Sequence, residues 1–266
     1  MSLGRVRHPA VAGTFYPADS ETLGSLVDQL VALARASCPD GAPVPKALIV
    51  PHAGYAYSGA VAASAFARLV PAAGRITHVV MLGPAHRVWF EGLALADADW
   101  LETPLGASRA VRVDLPGVIT SSRAHAGEHS LEVQLPFLQR VLGDVELVPL
   151  LVGDASAGSV ACVLDALWGG VETLVLVSSD LSHYHTWYEA RRRDTQTAAQ
   201  IEALGPSLGD DQACGAVPIN GLLATARRRR LRVECLDLRN SGDTAGSRDR
   251  VVGYGAFAFY EPEVTP

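Results

Sequence analysis

Five of the chain's eight histidines stand in polar or Gly/Pro-rich turns that follow apolar runs: His52, His86, His129, His183 and His185. Imidazole carries protons near neutral pH and is a common ligand for divalent transition metals. Three of the five come in one setting. KALIVPHAG (46–54), HVVMLGPAH (78–86) and TLVLVSSDLSH (173–183) each run as a short Val/Ile/Leu-rich segment that stops just before a histidine. Taken singly, each reads as an ordinary surface or hydrogen-bonded histidine. Three at successive strand ends point further, because open α/β sheets gather the residues beyond their strands' carboxyl ends into one cleft. Carboxylates lie beside them: Glu128 precedes His129, and Asp180 stands three residues before His183. Such pairs orient an imidazole or move a proton, although an aspartate in this position is also an ordinary turn or capping residue. Cys214 lies between Gln212 and Gly215 at the expected start of a helix. A helix N-terminus favours the thiolate, which is both a nucleophile and a metal ligand, so ligand, nucleophile and structural thiol stand level for this residue.

The elements that must position these residues follow from periodicity. Apolar runs too short for helices predict buried strands at Ala47–Val50, 76–82, 145–152 and 173–177. Alternation predicts half-exposed or closing strands at 92–96, 109–114, 231–238 and Val251–Tyr260, with a turn at 103–106. Helical spacing predicts helices over 23–36 (opened by Ser20), 59–69, 159–168, 187–204 and from Pro218 to residue 229. A further amphipathic helix opens at Ser130, with Pro136 imposing a kink or a late start. Strands alternating with helices throughout predict an α/β fold with a mainly parallel or mixed central sheet flanked by helices, as one domain over residues 5–262. Residues 1–3 are set aside.

Bulk properties narrow the function classes. The formal net charge of −6 and the confinement of the basic clusters 191–193 and 227–230 to helical segments exclude a phosphate-tracking surface, so no nucleic-acid partner is expected. Four cysteines without a CxxC pair suit neither a disulfide framework nor a structural zinc site. No apolar run reaches spanning length and the first residues lack a signal-type core, so a cytoplasmic protein without membrane contact is expected. GxSxG, Walker A and GxGxxG patterns are absent, against nucleophile-elbow and P-loop chemistry.

Seven motifs in order, AVAGTFYP (10–17), PHAGYAYSG (51–59), LGPAH (82–86), GEHSLEVQLPFL (127–138), SSDLSHY (178–184), ACGAVPI (213–219) and NSGD (240–243), resemble the MEMO family. In bacteria and archaea that family is called AmmeMemoRadiSam system protein B. The resemblance implies the fold of class III extradiol dioxygenases, which cleave catechol-like rings with non-haem iron. It implies that His52, His86 and Cys214 hold a transition metal, iron or copper foremost and zinc as an alternative. His129 and His183 match histidines lining the same cleft. On this reading His183 is the acid/base group oriented by Asp180, and His129 with Glu128 faces the substrate. A cysteine in place of the carboxylate of a two-histidine, one-carboxylate triad points away from ring cleavage and toward other redox chemistry, since a thiolate is softer and oxidisable. The competing expectation is a non-catalytic module that holds a small molecule or a peptide in the cleft, associated with radical-SAM and AMMECR1-like proteins.

Overall fold

The computed structural model describes residues 4–39 and 41–262; residues 1–3, 40 and 263–266 lie outside the described residues. In chain order the strands are Val6–Arg7 (β1), Ala47–Val50 (β2), His78–Pro84 (β3), Leu93–Leu95 (β4), Trp100–Thr103 (β5), Gly106–Ala110 (β6), Val118–Thr120 (β7), Glu146–Val152 (β8), Thr173–Ser178 (β9), His183–His185 (β10), Arg232–Asn240 (β11) and Val251–Tyr260 (β12). The α-helices are Ser20–Arg35 (α1), Tyr55–Phe66 (α2), Ser122–Ala126 (α3), Leu135–Val141 (α4), Ala157–Leu167 (α5), Trp187–Glu202 (α6) and Ala216–Arg229 (α7). Among the described residues the strands join into one mixed sheet whose middle runs β8-β3-β9-β2-β12. The four strands β8, β3, β9 and β2 are parallel, and β12 pairs antiparallel with both β2 and β11.

Near-continuous apolar strands such as ALIV and TLVLVS are what a sheet covered on both faces requires. Side chains alternate between two cores. Leu48, Val50, Met81 and Leu176 pack with Phe66 of α2 and Phe137 of α4, whose rings stack at 4.8 Å. Ile49, Val80, Leu82 and Val177 pack with Leu164 of α5, Ile201 of α6 and Leu222 of α7. The α/β expectation, with a mixed sheet between helices, is therefore met. No helix among the described residues is long and apolar enough to cross a membrane.

Differences from the expected boundaries have local causes. The helix expected from residue 59 starts at Tyr55, because Gly54 serves as its N-cap directly after the Pro51-His52-Ala53 turn. The helix expected at Ser130 starts late: a 3-10 turn over Glu132–Gln134 leads into α4, with Pro136 in the first turn, where its missing N–H costs nothing. The strand expected over 109–114 is Gly106–Ala110 instead, pairing with β5 across the expected turn. Asp19 rather than Ser20 caps α1, accepting from Thr22 N at 2.8 Å.

One buried carboxylate ties the chain's beginning to the segment that carries the site. Glu132, 2% exposed, accepts from Ala10 N at 2.8 Å, Val11 N at 3.0 Å and the Tyr16 hydroxyl at 2.6 Å, and pairs with Arg7. Arg7 in turn donates to the carbonyls of His125 and Glu128. Removing the acceptor would strand these donors out of water, and breaking a buried pair from one side costs about 3–5 kcal/mol. Glu132→Ala is expected to lose that much stability in urea unfolding, and a loss below about 1 kcal/mol would show the arm to be held otherwise.

Candidate functional site

The parallel strands β3, β9 and β2 lie side by side in that order, and their carboxyl ends open onto one edge of the sheet. Pro51 ends β2 and places His52 two residues beyond Val50; Ala85 links the end of β3 to His86. The strand between them delivers Ser178, Ser179 and Asp180 to the edge rather than a histidine. The third imidazole is that of His129, from the loop between α3 and α4. His52, His86 and His129 present ligand atoms all within 4.8 Å of one another. Their ring centroids are 5.0–5.5 Å apart, with His86 and His129 nearly parallel.

Glu128 assembles this cluster. Its carboxylate accepts from His86 N at 2.6 Å, His86 Nδ1 at 3.0 Å, His129 N at 2.9 Å and Ser130 N at 3.0 Å. Burial opposes the charge, but the His86 ring and the backbone donors outweigh it and hold the carboxyl down at about 2. With Nδ1 of His86 committed to Glu128, its Nε2 is the nitrogen left for the site. His129 Nδ1 lies 3.3 Å from the same carboxylate oxygen, off the line of a hydrogen bond, and has no partner among the described residues. The loop comes this close because residue 83 is glycine: a Cβ there would sit 2.9 Å from Ser130 Oγ and Leu131 Cδ2. Phe15 packs against the His129 ring, with centroids 4.7 Å apart and the rings tilted by 50°.

His52 is 2% exposed. Its backbone N–H donates to Asp180 Oδ1 at 2.7 Å, and its Nδ1 lies 3.0 Å from Ser178 Oγ. Cys214 Sγ is 3.2 Å from His52 Nε2 and accepts from Asp180 N at 3.3 Å. Gly215 permits this approach, since a Cβ there would meet the Ser179 side chain at 2.7 Å. Burial, with the neighbouring imidazoles second, drives His52 well below the ordinary imidazole range; burial lowers His129 and His183 as well. These rings are therefore neutral near pH 7, as metal ligands must be. Three imidazoles with ligand atoms within 4.8 Å, a carboxylate on the ring of His86 and a sulfur beside His52 make a donor set that fits a transition-metal ion.

Three sequence expectations change here. Asp180 was expected to orient His183, yet its carboxylate holds the His52 backbone, while His183 Nδ1 is held by the Leu181 carbonyl at 2.8 Å. Glu128 was expected to face a substrate, yet it is 3% exposed beneath His86 and His129. A helix end was expected to favour the Cys214 thiolate, but burial, reinforced by the Asp180 charge, pushes the thiol up to about 12. Burial likewise pushes Asp180 up to about 7. His183 stands outside the three-histidine group, in β10, half-buried and followed by Tyr184 at φ +62°. Ser178 and Gln134 join the site without having been expected there; their signal is a polar Ser-Ser-Asp ending an apolar strand and a glutamine within the apolar run LEVQLPFL (131–138).

Fold and site together define an α/β protein with a transition-metal-compatible cluster at the carboxyl edge of a mixed sheet. The model of the Memo-like protein family matches residues 7–258, and the chain belongs to that family. The MEMO1 family protein of Aquifex aeolicus is 35% identical, over 96% of this chain and 99% of its own. Those of Thermotoga maritima and Methanosarcina acetivorans are 35% and 34% identical, over 93% and 94% of this chain and 97% and 98% of their own. The architecture is consistent with the class III extradiol dioxygenase fold that the motifs implied.

Buried titratable groups pull the pH dependence in both directions: the raised carboxyls of Asp180 and Asp194 favour the folded chain as pH falls, and the buried imidazoles oppose them. His125, donating from Nε2 to the Ala94 carbonyl at 2.8 Å, is held by burial down at about 4. The unfolded chain takes up that proton near pH 6.5, so this group's contribution is full above 6.5 and falls as pH drops toward 4. The His125 contribution in metal-free protein is expected to be a loss of about 2 kcal/mol between pH 7.5 and pH 5, read as the difference between wild type and His125→Gln in urea unfolding at each pH. His125→Gln should flatten the curve by that amount, and an unchanged slope would refute the assignment.

Proposed function

We propose that this chain is a non-haem metal-dependent oxidoreductase that acts on a small organic substrate with dioxygen as the oxidant. The observation that carries the reading is the convergence of His52, His86 and His129 within 4.8 Å, with Cys214 Sγ 3.2 Å from His52 Nε2. His52 and His86, expected as ligands from the motifs, both belong to the three-histidine group, and Cys214 and His129 are the further candidate donors beside them. A bound iron or copper ion supplies the one-electron chemistry that imidazole, carboxylate and thiol lack. The chain's own residues do the rest. Glu128 aims the His86 ring and anchors the His129 backbone, and Asp180 fixes the His52 backbone and donates an N–H to the Cys214 sulfur. His183 has Nδ1 held by Leu181, which leaves Nε2 to carry a proton at the rim.

Metal analysis of protein purified without chelators is expected to find iron or copper in the wild type and at least tenfold less in His52→Ala and His86→Ala. Wild type without metal above background, and unable to take up Fe(II), Cu(I) or Zn(II), would sink the reading in favour of a module that holds a small molecule or peptide. The role of Cys214 is read separately. A neutral thiol that becomes a ligand releases its proton, so Zn(II) binding near pH 7 should release one more proton in the wild type than in Cys214→Ser, measured by calorimetry in buffers of different ionisation enthalpy. Equal release would leave the three histidines as the ligands.

A further inference from the structure

Ser178 stands at the carboxyl end of β9, fully buried, between the strands that deliver His52 and His86. Three polar groups meet at its hydroxyl. Ser178 Oγ donates to the Ser130 carbonyl at 2.5 Å; Gln134 Nε2 lies 2.8 Å away, and His52 Nδ1 3.0 Å away. The orientation of the Gln134 amide is settled by its second contact: the same nitrogen lies 2.9 Å from the Pro51 carbonyl, which can only accept. Gln134 therefore donates to both Pro51 and Ser178.

The count of protons and lone pairs then closes. A serine hydroxyl has one proton and two lone pairs. The proton goes to the Ser130 carbonyl, which has none to give, and one lone pair takes the Gln134 N–H. What remains for His52 is a single lone pair, so His52 must donate to it. From this we infer that Ser178, with its hydroxyl oriented by Gln134 and Ser130, locks His52 in the tautomer protonated on Nδ1. Nε2 is thereby kept bare toward the site. The Cys214 thiol, 3.2 Å away, is then the donor in its contact with Nε2.

The inference deepens the metal-site reading by naming Ser178 and Gln134 as positioning residues. They act through His52, whereas Glu128 does the same for His86. The arrangement also ties the tautomer to the fold. Ser130 and Gln134 belong to the segment that carries His129, so one strand end sets the chemistry of an imidazole on a neighbouring strand through a loop that brings in a second imidazole.

Long-range proton–nitrogen correlation spectra of the metal-free full chain with labelled histidine, assigned with His52→Gln, read the tautomer directly. The expected result near pH 7.5 is a His52 ring with its proton on Nδ1 and an unprotonated Nε2. A proton on Nε2, or a mixture of the two forms in wild type, overturns the inference whether or not any variant folds. Ser178→Ala should give a mixture and bind Co(II) about 10–100-fold more weakly, the usual effect of losing a hydrogen bond behind a ligand. Ser178→Thr, which keeps the hydroxyl, should restore the single form and the affinity. Unchanged Co(II) affinity in Ser178→Ala with a mixed tautomer would overturn the positioning role. Wild type that shows the expected tautomer yet binds no Co(II) would instead refute the metal reading and leave the tautomer lock standing.

Discussion

The site depends on a single buried carboxylate. Glu128 is shared between His86, at the end of β3, and the backbone of His129 and Ser130, and it does so almost out of contact with water. A charge in that position survives only because every donor around it is aimed inward. The same contacts therefore serve two ends. They stabilise an otherwise costly anion, and they hold two imidazoles from different segments at a centroid separation of 5.0 Å.

Around this anion the chain's first residues act as a clamp. Arg7 donates to the carbonyls of His125 and Glu128 and pairs with Glu132, one turn further along the same segment. Glu132 in turn takes the backbone of Ala10 and Val11, which precede the Phe15 ring that covers His129. The loop reaches the sheet edge through Gly83, and Cys214 reaches it through Gly215, both positions where a Cβ would collide with the approaching segment. Backbone closeness, more than side-chain length, brings the donors together.

Burial decides the protonation states in this region. It keeps His52, His125 and His129 neutral and keeps the Cys214 thiol protonated, while the densely donated Glu128 stays ionised. One buried carboxylate is held at about 2 and another, Asp180, is raised to about 7, because the His86 ring and three backbone donors outweigh burial at the first while burial outweighs the fewer donors at the second. Environment has separated two chemically similar side chains into an anchor for imidazoles and a near-neutral group beside a sulfur.

Much of this was legible in the residues alone. Ala47–Val50 and Val251–Tyr260 form strands at the expected bounds, since their pattern admits only buried or alternating β structure. The motif PHAG announced a histidine just past a strand end, with Pro51 ending β2, and LGPAH announced a second, although Gly83 and Pro84 themselves remain within β3. What the sequence could not decide was which strand ends become neighbours and which residues then face each other. The repeated strand-to-histidine pattern suggested His183 as the third partner; the sheet order puts Ser178 and Asp180 in that place, and His129 enters from a loop 43 residues beyond His86. Residue types and local spacing specify strands, turns and candidate donors. Their mutual geometry, and with it the tautomer and charge of each group, arises only when desolvation and long-range hydrogen bonds act together in the folded chain.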